Sequence, residues 1–185
     1  MLRTLTRQLR DDALNLLQHR GAILDLAREL SQLLQREGIP GVIIGGIAVF
    51  LHGYERTTTD IDVFVDPPST TLKDLLIANG FEFDEQRREF IRHGVPVQFV
   101  TRDLLARPPR RAVEIDGILT VSLADLIQMK LESGSKNILR AQDMADVIRL
   151  ILHHDLGSDF ARHLDKSLRP TYRKLIKAMR QAGKG

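Results

Sequence analysis

The sequence predicts a mixed α/β (α+β) fold: a mixed β-sheet flanked by helices, with an N-terminal helix before it and a helical C-terminal part after it. Three observations predict it. Short apolar runs bounded by glycine, proline or aspartate recur between residues 38 and 121, as strands and hairpins do. Apolar residues recur at helical spacing before residue 37 and after residue 122. Between these, the apolar run Val42 to Ile44 ends in Gly45 and Gly46 and passes into a helix-compatible stretch. The expected organisation is therefore an amphipathic helical segment at 1–37, an α/β core at 38–121, and a helical part with a basic tail at 122–185.

Taken in order, Leu9, Ala13, Leu16, Leu17, Ile23, Leu24, Ala27, Leu30 and Leu34 form a helical stripe interrupted only by Gly21, so one kinked helix or two short ones are expected. That stripe needs a surface to pack on, either the sheet or a second copy in a homodimer. A strand at Val42 to Ile44 leads to a helix at Gly46 to Leu51 and a strand at Ile61 to Val65. A helix follows at Thr70 to Asn79, with Ser69 placed to cap it. Glu89 to Arg92 and Val95 to Thr101 read as a hairpin turning at His93-Gly94, and 112–121 as another turning at Asp116-Gly117. Ser122 and Asp125 mark a helix start, after which the chain is helical with breaks expected near Gly134, Gly157 and Pro170.

With 185 residues, 43% hydrophobic and 28% charged, the chain can bury a sizeable core and is not of disordered composition. No apolar run approaches the roughly 20 residues that span a bilayer, and the N-terminal residues lack the apolar core of a signal peptide. A cytoplasmic location without a membrane partner is the expectation. The absence of cysteine excludes disulfides and thiolate metal sites. Net charge is +3, yet Lys166, Arg169, Arg173, Lys174, Lys177, Arg180 and Lys184 fall in a tail with no acid. Such a tail suits an RNA phosphate backbone, and equally a solvated helix face.

The chemistry lies in the second strand. Asp60 and Asp62 alternate with Ile61 and Val63, so both carboxylates take one face and the apolar side chains the other. Neighbouring carboxylates repel unless a cation sits between them, and magnesium, which favours oxygen ligands, would bring a polyphosphate with it. Gly45 and Gly46 leave no side chains to block close approach, and helix-start amides can hold a phosphate. Arg56 suits a phosphate or one of the two aspartates. Thr58 can face the same side as Asp60, and His52, at a helix end beside Gly53, suits capping better than proton transfer. His153 and His154 diverge by about 100° on a helix, so they do not share an ion.

Gly45-Gly46, Ala48, His52-Gly53, Arg56, Thr58 and Asp60-x-Asp62, in this order and spacing, resemble the signature of the nucleotidyltransferase superfamily. The subgroup resembled is that of small bacterial AbiEii-type and minimal nucleotidyltransferases. A second stretch is similar too: a strand and helix from Asp116 to Lys130, followed by Arg140, Asp143 and Asp146. The resemblance implies the nucleotidyltransferase fold and a Mg2+-bound nucleoside triphosphate (NTP), with a two-metal site conceivable at Asp60 and Asp62. It implies transfer of a nucleoside monophosphate to a hydroxyl of RNA, tRNA included, of protein or of a small molecule. It also implies that Lys130 reaches the triphosphate, that Arg140, Asp143 and Asp146 brace the helical part, and that an antitoxin-like partner, as in toxin-antitoxin pairs, could bind. Members use a third carboxylate from a neighbouring strand, where this chain has Gln98, which holds a hydroxyl but cannot take its proton. Asp103, Glu82 and Asp84 are the substitutes considered. The alternative is a catalytically degenerate fold that binds nucleotide, RNA or a partner.

Overall fold

A computed structural model describes residues 21–67 and 70–182, so the first half of the N-terminal stripe, the Ser69 cap and Lys184 lie outside the described residues. The apolar runs of the middle third become seven strands: β1 (Gly41–Ile44), β2 (Ile61–Val65), β3 (Glu82–Asp84), β4 (Glu89–Arg92), β5 (Val95–Val100), β6 (Ala112–Ile115) and β7 (Ile118–Val121). They form one mixed sheet in the order β3-β4-β5-β2-β1-β7-β6. β1 runs antiparallel to β2 and parallel to β7, while β2 runs parallel to β5. Both hairpins form where the turn residues place them. Asp116 and Gly117 both have positive φ (52° and 74°), the backbone that a two-residue turn requires between right-twisted strands.

Period-two alternation gives the sheet two buried faces, each with its own core. Ile43, Ile61, Val63, Val97 and Ile118 pack on helix α1 (Ala22–Arg36), through Leu26, Leu30 and Leu34, and on helix α3 (Leu72–Ala78), through Leu72 and Leu76. Ile44, Phe64 and Val121 turn the other way, onto helices α4 (Leu123–Lys136), α5 (Ala141–His153) and α6 (Arg169–Ala182). Between β1 and β2, helix α2 (Gly45–Leu51) sends Ile47 and Phe50 into the first core and Ala48 and Val49 into the second.

The helical part departs from expectation at one glycine. Gly134 does not break α4: it lies inside the helix, where an added Cβ would meet Met144 Cγ at 2.7 Å, so its smallness serves the close crossing of α4 and α5. The break falls at Asn137, whose side-chain oxygen accepts from the Leu139 amide at 2.9 Å and starts a 3-10 turn at Ile138–Arg140. Pro170 sits in the first turn of α6, where its missing amide costs nothing. Ser122 caps α4 as expected, accepting from the Asp125 amide at 3.2 Å. Arg107 fastens the preceding loop to the helices, donating to Glu132 Oε2 at 3.2 Å and pairing with Asp165.

Leu30 is 1% exposed between α1 and the sheet. Leu30→Ala is expected to lower stability by about 2–5 kcal/mol, the cost of a core cavity, in one cooperative urea transition; a separate early transition would show that α1 unfolds on its own.

Candidate active site

At the C-terminal end of β1 the backbone turns into α2 at Gly45, whose φ is +65°. Ile44 pairs in register with Asp62, and this pairing brings the Asp62 carboxylate against the Gly45 backbone. A Cβ on Gly45 would lie 2.8 Å from Asp62 Cγ and overlap its Oδ2, so no other residue fits this bend without moving the acid. Gly46 is equally enclosed: a Cβ there would stand 2.8 Å from Thr58 Cβ and 3.2 Å from Arg56 Nη2. Thr58 Oγ1 donates to Asp60 Oδ1 at 3.0 Å. Six residues chosen from sequence spacing, Gly45, Gly46, Arg56, Thr58, Asp60 and Asp62, therefore meet around one bend.

The cations are held differently from the expectation. Arg56 pairs with neither Asp60 nor Asp62. Its Nε lies 2.9 Å from Asp146 Oδ1 and its Nη2 donates to Asp146 Oδ2 at 3.2 Å. Lys130 Nζ donates to Asp143 Oδ1 at 2.7 Å and lies 2.9 Å from Asp146 Oδ2. Gln142 completes the set, donating to Asp146 Oδ1 at 2.9 Å. Asp146 is fully buried, a state a carboxylate tolerates only with such partners. Asp143 thus pairs with Lys130 and not with Arg140, because Arg140 lies in the 3-10 turn ahead of α5 and is exposed.

Asp62 is half-buried close to Asp60, and both circumstances disfavour its charge. Burial foremost, then the Asp60 charge, push its carboxyl up to about 6, against the pull of Lys130, Arg140 and Arg56. His52 is a structural residue: its ring Nε2 lies 2.8 Å from the Val121 carbonyl, and burial lowers its pKa. It stands at the C-cap of α2, and its ring ties that helix to β7 rather than to the helix's own carbonyls. His154 Nε2 in turn lies 2.8 Å from the His52 carbonyl, with its ring edge-on to that of His153.

Gln98 of β5 pairs directly with Asp62, which places it on the site's face of the sheet. Its amide donates to Glu89 Oε2 on β4 at 3.3 Å. Asp103 is bound to Thr101 beyond the end of β5, and Asp84 accepts the amides of Gln86 and Arg87 in a turn. Glu89 is the residue that reading the sequence missed. It stands at the first position of a hairpin strand among charged neighbours, and only the register reveals it.

The donor set suits magnesium in one respect: two carboxylates crowd together, one of them costly to ionise without a cation, beside a bend where a side chain would intrude. Among the described residues no cluster of three or more acidic or imidazole groups could hold a metal. A magnesium ion at Asp60 and Asp62 would therefore complete its shell with phosphate oxygens and water, as this ion commonly does.

The model of the family described as "Nucleotidyltransferase of unknown function (DUF6036)" matches residues 21–168, which include every site residue above. The chain belongs to this family. Solved structures carry the same fold. A nucleotidyltransferase-like antigenic protein from Paracoccidioides brasiliensis is 21% identical, with a TM-score of 0.53 over 69% of this chain and 74% of its own. ANT(2″)-Ia in complex with adenylyl-2″-tobramycin is 15% identical, with a TM-score of 0.51 over 77% of this chain and 92% of its own. No curated protein matches the sequence. The nucleotidyltransferase fold is thus the observed architecture, and among the described residues no helix is long and apolar enough to cross a membrane.

Two measurements probe the electrostatics of this candidate site. Because the folded-state pKa of Asp62 lies above the ordinary aspartate value, the folded chain holds that proton more tightly, and stability falls as pH rises from about 4 to about 6. In chelator, Asp62→Asn is expected to remove this fall and leave the variant about 2–3 kcal/mol more stable than the wild type at pH 7.5, with no gain at pH 4; urea titrations at both pH values check it. Asp146→Ala leaves Arg56 and Lys130 facing a buried void, and is expected to cost about 3–5 kcal/mol in the same assay.

Proposed function

We propose that the chain binds a magnesium-bound nucleoside triphosphate at Gly45, Gly46, Asp60 and Asp62 and transfers a nucleoside monophosphate to an acceptor hydroxyl, releasing pyrophosphate. The observation that carries this reading is the Asp62 carboxylate, packed against a glycine bend that admits no side chain and set beside Asp60. Asp60 and Asp62 would hold the magnesium, which when bound neutralises charge on the phosphoryl oxygens and the leaving group. Thr58 orients Asp60. Gly45 and Gly46 keep the approach clear for phosphate. Arg56 and Lys130 bring positive charge to the triphosphate while Asp143 and Asp146 fix their positions. These charges are worth most where water is excluded and the groups need not reorganise.

The acceptor is RNA, protein or a small molecule. Arg173, Lys174, Lys177 and Arg180 on α6 favour RNA, since that helix buries Tyr172 and Ile176 and leaves these four cations exposed. ANT(2″)-Ia, bound to adenylylated tobramycin, keeps the small-molecule hydroxyl in view. The second reading is a binding module without turnover, and the observation that favours it is Gln98, an amide directly beside Asp62.

Calorimetry with each of the four triphosphates, with and without magnesium, together with transfer of label from an α-labelled triphosphate to bulk RNA, protein extract and aminoglycosides, separates the two. Magnesium-dependent binding with transfer supports the enzyme; binding with no transfer supports the module; no binding by the wild type removes both. Gly45→Ala is expected to weaken magnesium-triphosphate binding at least tenfold by displacing the Asp62 carboxylate.

A further inference from the structure

Transfer to a hydroxyl needs a group that takes the hydroxyl proton, and the side chain adjoining Asp62 on β5 is an amide that cannot. The sheet register shows what stands next. Paired residues share a face, so Asp84 of β3, Glu89 of β4, Gln98 of β5 and Asp62 of β2 form one row across four adjacent strands on the side of the site. Within that row Glu89 is the carboxylate nearest to Asp62, and its state is unusual. Its side chain is 7% exposed, Gln98 donates to Oε2 at 3.3 Å, and Oε1 is buried without a hydrogen-bond partner. The guanidinium of Arg87, itself 71% exposed, stands 3.5 Å from Oε1 as a loose cover. A buried carboxylate oxygen whose nearest cation is an exposed guanidinium beyond hydrogen-bond geometry costs stability.

We propose that Glu89 is the catalytic proton acceptor of this site, with Gln98 as the residue that positions both it and the acceptor hydroxyl. The inference rests on the transfer reading above. As the acceptor oxygen forms its bond to the α-phosphorus, its proton passes to Glu89 Oε1. The bond from that phosphorus to the bridging oxygen of the β-phosphate breaks, and pyrophosphate leaves with the electron pair. Two strand spacings, roughly 10 Å, separate the backbones of Asp62 and Glu89. That distance is too long for Glu89 to share an ion with Asp60 and Asp62, in keeping with the absence of a three-acid cluster among the described residues. It leaves room over Gln98 for an acceptor hydroxyl: one N–H of the Gln98 amide holds Glu89 and the other can donate to the acceptor oxygen, leaving the hydroxyl proton for Glu89.

The test compares wild type, Glu89→Gln, Gln98→Asp and the double variant Glu89→Gln/Gln98→Asp. Pyrophosphate release from each magnesium triphosphate is followed at single turnover with water as the acceptor hydroxyl, and triphosphate affinity is measured in parallel by calorimetry. Glu89→Gln is expected to lower the release rate at least 100-fold with affinity unchanged within about twofold. The double variant, whose carboxylate lies one strand nearer to Asp62, is expected to recover at least tenfold of that loss. Gln98→Asp alone, with Glu89 in place, is expected to gain less than about twofold, whereas a purely structural Glu89 predicts the same gain from the new acid with or without Glu89. Equal release by wild type and Glu89→Gln, or loss without recovery in the double variant, overturns the proposal. Wild-type binding without release sinks it together with the transfer reading, whereas release that persists in Glu89→Gln sinks it alone.

Discussion

One buried carboxylate holds the two halves of this protein in working relation. Asp146 has no exposure to solvent, and its two oxygens are shared by Arg56 from the loop before β2, Lys130 from α4 and Gln142 from its own helix. Burying such a charge is tolerable only because the cations come with it, and this requirement fixes where α4 and α5 sit against the sheet. Lys130 and Arg56, two of the cations that act on Asp62, are thereby set in place by an interaction that also closes the second core. Site and scaffold are therefore not separable at this point: what weakens the ion cluster loosens the helical part and scatters the charges around the carboxylates.

Against that stable cluster, the site itself is under electrostatic tension. Asp62 is pressed against the Gly45 backbone, half-buried and close to Asp60, so its ionised form is disfavoured. Proteins retain costs of this kind where function needs them. Magnesium and a triphosphate would relieve the tension, since the cation offsets both carboxylates and phosphate oxygens complete its shell. The row from Asp84 through Glu89 and Gln98 to Asp62 extends the polar surface sideways along the sheet, away from the helices.

Much of the fold and part of the site were legible along the chain. The glycine bend, the alternation at Asp60 and Asp62, the Asp116-Gly117 turn and the Ser122 cap are local matters, governed by backbone sterics and by contacts within a few residues, and they appear as read. Gly134 was misread as a helix end, since nothing nearby reveals Met144 crossing it. Arg140 and Asp143 stand at helical spacing, but the half-buried Lys130 thirteen residues before Asp143 is the partner that meets it. Glu89 gave no signal at all, because its importance comes from a neighbour across the sheet rather than along the strand.

The sequence by itself determined the strands, their inward and outward faces and the residues crowded at the bend, because period, turn chemistry and spacing act over distances that the chain order records. Tertiary structure alone decided which carboxylate each cation meets, and which acid stands beside Gln98. Those outcomes depend on strand register and helix placement, where groups far apart in sequence compete for partners in a space that only the packed core defines.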